Sequence, residues 1–239
     1  MAKTILVTGA SSGIGRAIAI ACAAKGMRVV LNGRNVARLE EVRAQMSGEG
    51  HIILPADLTD KAQREALATQ LPVLNGIVHC AGIGSRVLCK MLEQDDVQQV
   101  METNFSAPVL LQAELLQEKK VAKEASIVFI ASAAATMPSI GNSIYSASKA
   151  ALISYAKCLA LELAPRKIRV NCISPTMVWT DLALVGATKE QLYEAEQAYP
   201  MKRYGQPEDI APMAVYLLSD EAAWVTGSNF ELTGGAQTL

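Results

Sequence analysis

Tyr145 and Lys149 stand four residues apart, a spacing that sets two side chains on one face of a helix and within reach of a shared site. A phenol titrating near 10 is a poor acid or base at neutral pH, but an ammonium held beside it favours the phenolate and draws that value down. The pair therefore describes a proton carrier. Y-x-x-x-K recurs by chance, so the reading needs partners. Ser132 follows an apolar run, Ser126 to Ala131, that reads as a strand, which puts its hydroxyl at the carboxyl edge where open α/β sheets bind ligands. Asn104, in Met101-Glu-Thr-Asn-Phe105, adds an amide.

A second cluster is built for an anion. Thr8-Gly-Ala-Ser-Ser-Gly-Ile-Gly15 comes directly after the first strand and opens a helix. Gly9, Gly13 and Gly15 fall where the backbone must turn tightly and approach a pyrophosphate, and the helix N-terminus adds free N–H groups and a positive dipole end. The same segment spells G-x-S-x-G around Ser11, the nucleophile elbow of α/β-hydrolases. That class fails on partners, because the only histidines, His51 and His79, lie in or beside strands far upstream of any position a triad base would take. The second strand ends Leu31-Asn-Gly-Arg34 with no carboxylate to bind a ribose 2′-hydroxyl. A guanidinium there suits a 2′-phosphate, so NADPH is expected over NADH, with a solvated loop charge as the plain alternative for Arg34. Asp57, in Ala-Asp-Leu-Thr, would accept from the adenine amino group or form an Asx turn.

The elements that position these residues alternate along the chain. Strands are expected at Thr4 to Thr8, Arg28 to Leu31, His51 to Pro55, Gly76 to Cys80, Ser126 to Ala131, Arg169 to Ile173 and Ser228 to Leu232. Runs such as Ile-Val-Phe-Ile-Ala are apolar throughout, as strands covered on both faces are. Helices fit between them at Gly13 to Lys25, Val36 to Met46, Lys61 to Leu71, Asp95 to Gln117, Ile144 to Leu163 and Pro207 to Leu218. The fold class is therefore α/β: a Rossmann-type, doubly wound, parallel seven-stranded sheet with helices on both faces, in a single domain over 1–239. The long stretch Thr176 to Gln206 after the sixth strand reads as a substrate lid.

Composition narrows the class further. The net charge of −1 arises from 22 basic and 23 acidic residues spread along the chain, which gives no basic field to draw nucleic acid or anionic lipid, and neither is expected as a partner. The run Glu118 to Glu124 mixes both signs and reads as a solvated helix end. Five widely spaced cysteines without a CxxC indicate neither a disulfide framework nor a zinc site, so no metal is expected. No apolar stretch approaches the roughly 20 residues needed to cross a bilayer, and the start runs straight into a strand, so the expected location is cytoplasmic.

Taken in order, Thr8-Gly-x-x-x-Gly-Ile-Gly15, Ala81-Gly82, Asn104, Ser132 thirteen before Tyr145, Lys149, Asn171, Pro175 through Thr180 and Gly234-Gly235 resemble the short-chain dehydrogenase/reductase family over essentially the whole chain. The resemblance implies that Ser132 hydrogen-bonds the substrate oxygen, Tyr145 passes the proton, Lys149 holds the nicotinamide ribose and tunes Tyr145, and Asn104 anchors a water relay. It implies a cofactor-binding set of Gly9, Ser11, Ser12, Gly13, Ile14, Gly15, Asn32, Arg34, Asp57, Leu58, Cys80, Ala81, Gly82, Tyr145, Lys149, Pro175, Thr176, Val178 and Thr180. Arg203 to Ala211, Tyr216 to Asp220 and Val225-Thr-Gly227 look like the 3-oxoacyl-[acyl-carrier-protein] reductases, which implies a 3-oxoacyl thioester substrate. Lys123 and Arg166 match the basic residues with which that group holds the carrier protein near the site entrance.

Three positions depart from the family pattern. His79-Cys80 replaces Asn-Asn, with His79 expected as a packed strand residue. Thr176 stands where Gly follows Pro175, and Ala133 to Met137 lacks the usual Gly. The expected pocket wall, the turn after Gly82, Ala133 to Ser143, and Met177, Val178, Trp179, Leu182 and Leu184, is mostly apolar and would equally accept an acyl chain, a steroid-like body or a sugar face. A non-catalytic dinucleotide sensor is the rival class, although it would need no acid/base set. The apolar faces of Asp95 to Gln117 and Ile144 to Leu163 exceed what one sheet covers, so a homotetramer is expected.

Overall fold

The structure, a computed structural model, describes residues 2–236. Seven parallel strands form one sheet in the order β3-β2-β1-β4-β5-β6-β7. They are β1 Thr4–Val7, β2 Arg28–Leu31, β3 Ile52–Ile53, β4 Leu74–His79, β5 Val121–Ile130, β6 Arg169–Pro175 and β7 Asn229–Leu232. The order reverses between β1 and β4, and such a switch point opens a crevice at the carboxyl ends of the strands.

Alternation along each strand divides the core between the two faces. Ile5 and Val7 of β1 with Val128 and Ile130 of β5 pack under α1 (Gly13–Ala24), α2 (Val36–Arg43) and α8 (Pro207–Leu218). Leu6, Ile127 and Phe129 pack on the other face under α3 (Lys61–Gln70), α5 (Ala107–Gln117) and α6 (Ser143–Leu163). Both faces are therefore dry, which is why the strands carry no polar alternation. Helix starts follow their caps: Asn35 accepts from Arg38 N–H at 3.1 Å and Asp60 from Gln63 N–H at 3.0 Å, each satisfying one orphan amide.

The helix expected over Asp95 to Gln117 is broken. It runs as α4 (Gln94–Met101), a π turn over Glu102–Ser106, and then α5. Pro108 at the start of α5 has no N–H to continue an i→i−4 ladder, and the wide turn before it absorbs that loss. A further helix, α7 (Lys189–Glu196), lies within the segment 176–206 and begins at a capping box of Thr188 and Gln191. Among the described residues no helix is long and apolar enough to cross a membrane, and no group of His, Cys, Asp and Glu gathers to hold a metal ion.

Candidate active site

The end of β1 is tied to the end of β4 by one hydroxyl. Thr8 Oγ1 accepts from Cys80 N–H at 3.0 Å and Ala81 N–H at 3.2 Å and donates to the Val78 carbonyl at 3.4 Å. That clamp holds the glycine loop against the turn after β4. Gly9 has φ +64°, and a Cβ there would lie 2.9 Å from Ala81 N and Cα, so only glycine permits both the turn and the approach. Gly15 packs against the Gly9 carbonyl, leaving no room for a Cβ. The Ser12 side chain makes no cap at the start of α1, which leaves the first-turn amides to a ligand.

The loop opens into a cavity of about 1580 Å³ along the carboxyl edge. Single-ligand pockets run to roughly 1,000 Å³, so this space suits an extended dinucleotide together with a second molecule. The whole cofactor set expected from sequence lines it, from Gly9 to Gly15 through Arg34, Asp57 and Leu58 to Pro175, Thr176, Val178 and Thr180. The residues thus fit a dinucleotide: a cradle closed to any Cβ, uncapped amides and the exposed guanidinium of Arg34.

Several of these residues also bond within the protein. Asn32 reaches the cavity, but its amide donates to the Leu54 carbonyl at 3.0 Å and ties β2 to β3. Asp57 forms the Asx turn, with Oδ1 accepting from Thr59 N–H at 3.0 Å and Thr59 Oγ1 at 2.7 Å. Those bonds hold its carboxyl below the ordinary range, helped less by Arg34, which lies 3.7 Å away and is 75% exposed. Thr176 takes a negative φ and docks on β7 by donating to the Leu232 carbonyl at 3.2 Å, so the missing glycine imposes no strain there.

Ser132, Tyr145 and Lys149 line the same cavity. Ser132 follows β5, and its Oγ accepts from Ala134 N–H at 3.1 Å. Lys149, buried at 5% exposure, donates to the Ile130 carbonyl at 3.0 Å, and its Nζ lies 5.8 Å from the centre of the Tyr145 ring. Burial pulls the Lys149 ammonium down to about 8. The expectation that Lys149 lowers Tyr145 is not met: burial raises the phenol, and only the Ser132 hydroxyl opposes it. Cys80, at the position of the family's Asn, is pushed up to about 12 by burial and stays a neutral thiol.

Asn104 is fully buried and does not line the cavity. Its Oδ1 accepts from Ile83 N–H at 2.8 Å, while Nδ2 donates to the Ile83 carbonyl at 2.9 Å and to Ser148 Oγ at 3.2 Å. Ser148 in turn donates to the Tyr145 carbonyl at 2.7 Å. The π turn thus aims an amide that ties the loop after β4 to the first turn of α6. Its side-chain oxygen and nitrogen are both engaged in this brace.

The pocket wall also needs correction. Met177, Val178 and Leu182 line the cavity, but Leu184 does not. Trp179 turns away to donate to Glu196 Oε2 at 2.9 Å and packs on Tyr193 and Tyr204. Tyr199, Tyr204 and Leu192 of α7 take its place on the wall. Sequence reading missed these three and Arg86, although the T-x-x-Q box before α7 was there to find. Lys123 and Arg166 lie at the amino ends of β5 and β6, where Arg166 donates to the Val121 carbonyl. They are therefore at the sheet edge opposite the cavity, not at its entrance.

Comparison with known proteins agrees with this geometry. The family described as "Enoyl-(Acyl carrier protein) reductase" matches residues 9–237. An L-xylulose reductase of Caenorhabditis elegans is 33% identical over 98% of this chain and 95% of its own. A 3-oxoacyl-[acyl-carrier-protein] reductase of Rickettsia felis is 32% identical over 98% and 96%. A solved structure of a short chain dehydrogenase/reductase family protein superposes with a TM-score of 0.88 at 34% identity, covering 98% of this chain and 96% of that one. With matches over nearly its whole length and the glycine cradle, Ser132, Tyr145 and Lys149 on one cavity, the chain belongs to the short-chain dehydrogenase/reductase family, whose oxidoreductases bind NAD(P) and act on small carbonyl or alcohol substrates.

Proposed function

We propose that this protein is an NADPH-dependent carbonyl reductase in which Tyr145 is the acid/base. The observation that carries the reading is the opening of the glycine cradle, Arg34 and the Ser132, Tyr145 and Lys149 set onto one cavity. When bound, the nicotinamide supplies the hydride for the carbonyl carbon or takes it from the alcohol. Ser132 donates to the substrate oxygen and orients it beside Tyr145. Because burial keeps the phenol protonated at neutral pH, Tyr145 starts in the form that reduction needs and gives its proton to the developing alkoxide. Lys149 holds the ribose and, as an ammonium, stabilises the phenolate left behind. Asn104 is a positioning residue, fixing the Ile83 loop and the Tyr145 turn. The segment 176–206 covers the substrate side as a lid.

Arg34 sets the preference among nicotinamides. A charge-assisted contact to the 2′-phosphate is worth roughly 1.5 to 3 kcal/mol, so NADPH should bind at least about tenfold tighter than NADH. Arg34→Ala should erase that ratio in a fluorescence titration of both cofactors. Equal affinities in the unaltered protein would remove Arg34 from the site.

The substrate reading is a 3-oxoacyl thioester, supported by the Arg203 to Ala211 motif and the Rickettsia relative. Delivery on acyl carrier protein loses its support from Lys123 and Arg166. A keto sugar is the second reading, favoured by the equally similar xylulose reductase. A kinetic panel of 3-oxoacyl thioesters, keto sugars and cyclic ketones with NADPH separates them, and failure of every ketone would leave the sensor reading. The five free cysteines accord with a cytoplasmic enzyme. The apolar Leu110 and Leu161, 42% and 79% exposed on α5 and α6, support a homotetramer. Light scattering at micromolar concentration should then give four times the 25.4 kDa chain mass, and a monomer would contradict it.

A further inference from the structure

The cavity is lined by three cations: Arg34, Lys149 and Arg86. The first two have roles in the reading above. Arg86 has none, and it stands on the substrate side, in the loop that follows Gly82. That loop is held between two others. Val87 N–H donates to the Gly141 carbonyl at 2.8 Å, tying it to the turn before α6. Gly84 lies against Leu182 and Val185 of the lid, where a Cβ would meet their side chains at 3.5 and 3.4 Å.

The stem of Arg86 runs through the gap between these loops, and glycine faces it on both sides. A Cβ at Gly186 would stand 2.9 Å from its Cδ, and one at Gly141 would stand 3.3 Å from its Cγ. Both glycines have φ near +80°, at +77° and +79°, so any other residue would strain the backbone as well as crowd the arginine. The passage therefore fixes the direction of a side chain that is otherwise long and mobile.

Its head group is left without a counter-charge. Among the described residues Arg86 forms no ion pair, whereas Arg38 and Arg203 pair with Asp181 and Asp209. Asp95 and Glu102 share the cavity but make no bridge to it. The guanidinium lies near Tyr204: burial raises that phenol, Tyr199 and Glu196 add to the rise, and Arg86 alone pulls it down. Tyr204 and Tyr199 form the wall beside it. A guanidinium whose stem is held between two glycines and whose exposed head lines the cavity without an ion-pair partner is a receptor for an oxyanion, which it would engage by paired N–H donors.

We propose that Arg86 recognises a negatively charged group, carboxylate or phosphate, carried by the substrate, so that the reductase acts on an anionic ketone. This rests on the carbonyl-reductase reading and narrows its substrate class. An apolar acyl chain or a neutral ring would gain nothing from the guanidinium, whereas an anionic group would pair with it.

Two matched pairs distinguish the sources of charge: 3-oxohexanoate against its methyl ester, and xylulose 5-phosphate against xylulose, each reduced with NADPH. In at least one pair the charged member should have a kcat/KM about tenfold to a hundredfold higher, expressed mainly in KM. Arg86→Leu should collapse that ratio to near one, while Lys90→Leu, an exposed cation of the same loop, should keep it. Preference for the neutral member in both pairs, or a ratio that survives Arg86→Leu, overturns the proposal. If no ketone is turned over, the reductase reading fails separately. Arg86 is then judged by calorimetric titration of 3-oxohexanoate and of xylulose 5-phosphate into the NADPH-loaded protein. Binding lost in Arg86→Leu supports the anion site, and no binding by the unaltered protein refutes it.

Discussion

Tyr145→Phe is expected to lower turnover by about 10² to 10⁴ while leaving NADPH affinity nearly unchanged. The phenol oxygen is needed only where the substrate oxygen gains or loses its proton. On the proposed reading Lys149 is committed to the ribose and the phenolate, and Cys80 is a buried thiol at about 12, so no other side chain on this wall is placed to pass the proton. Lys149→Met should differ in kind, slowing the chemistry and weakening cofactor binding together, because the proposed mechanism has one ammonium both meet the ribose and stabilise the phenolate. Its depressed value gives a second readout. With burial bringing Lys149 down to about 8, the charged form dominates below that pH. The kcat/KM for ketone reduction should therefore hold from pH 6 to 7.5 and fall as pH rises through about 8. If Tyr145→Phe retained more than about a tenth of turnover, a smaller loss than general acid/base catalysis explains, the assignment would be wrong and the sensor reading would gain ground.

Those two residues were legible in the sequence because their relation is local: four positions on one helix. The strands were legible for a similar reason, each being a short apolar run, and the order of loops after them brought the cofactor set to one edge. What escaped depends on contacts between distant segments. The break in the helix around Asn104 is invisible to periodicity, since apolar spacing continues through it, although Pro108 marked the place. Trp179 was expected on the pocket wall from its position in the lid. Glu196 and Tyr204, 17 and 25 residues away, turn it into the packing of that segment itself instead. Strand direction could have corrected Lys123 and Arg166. In a parallel sheet, residues that precede strands share the edge opposite the ligand, so likeness of position to a family does not fix which edge a side chain serves. Arg86 was missed because its significance lies in two glycines, 55 and 100 residues further on.

His79 carries the last prediction, which concerns stability and not turnover. It is buried at 3% exposure on β4, stacked on Phe129 with ring centres 4.6 Å apart and planes at 11°. Its Nε2 meets Gln112 Oε1 at 3.1 Å, and its Nδ1 has no partner. Burial is the dominant cause of its shift from the ordinary 6.5 to about 4, with the Gln112 bond opposing. A depressed value means that the unfolded chain binds a proton the native state refuses. The native state's advantage is therefore complete above about 6.5 and is lost as pH falls towards 4. At about 1.36 kcal/mol per unit, the loss is roughly 2 kcal/mol by pH 5 and approaches 3 by pH 4. His79→Asn, which restores the residue type usual in the family, removes this titration whatever it does to packing. Urea unfolding at pH 7.5 and pH 5 should therefore show a pH-dependent loss in the unaltered protein that exceeds the variant's by about 2 kcal/mol. Equal losses in the two proteins would mean that His79 accepts its proton within the native fold, with Gln112 or an entering water compensating the charge.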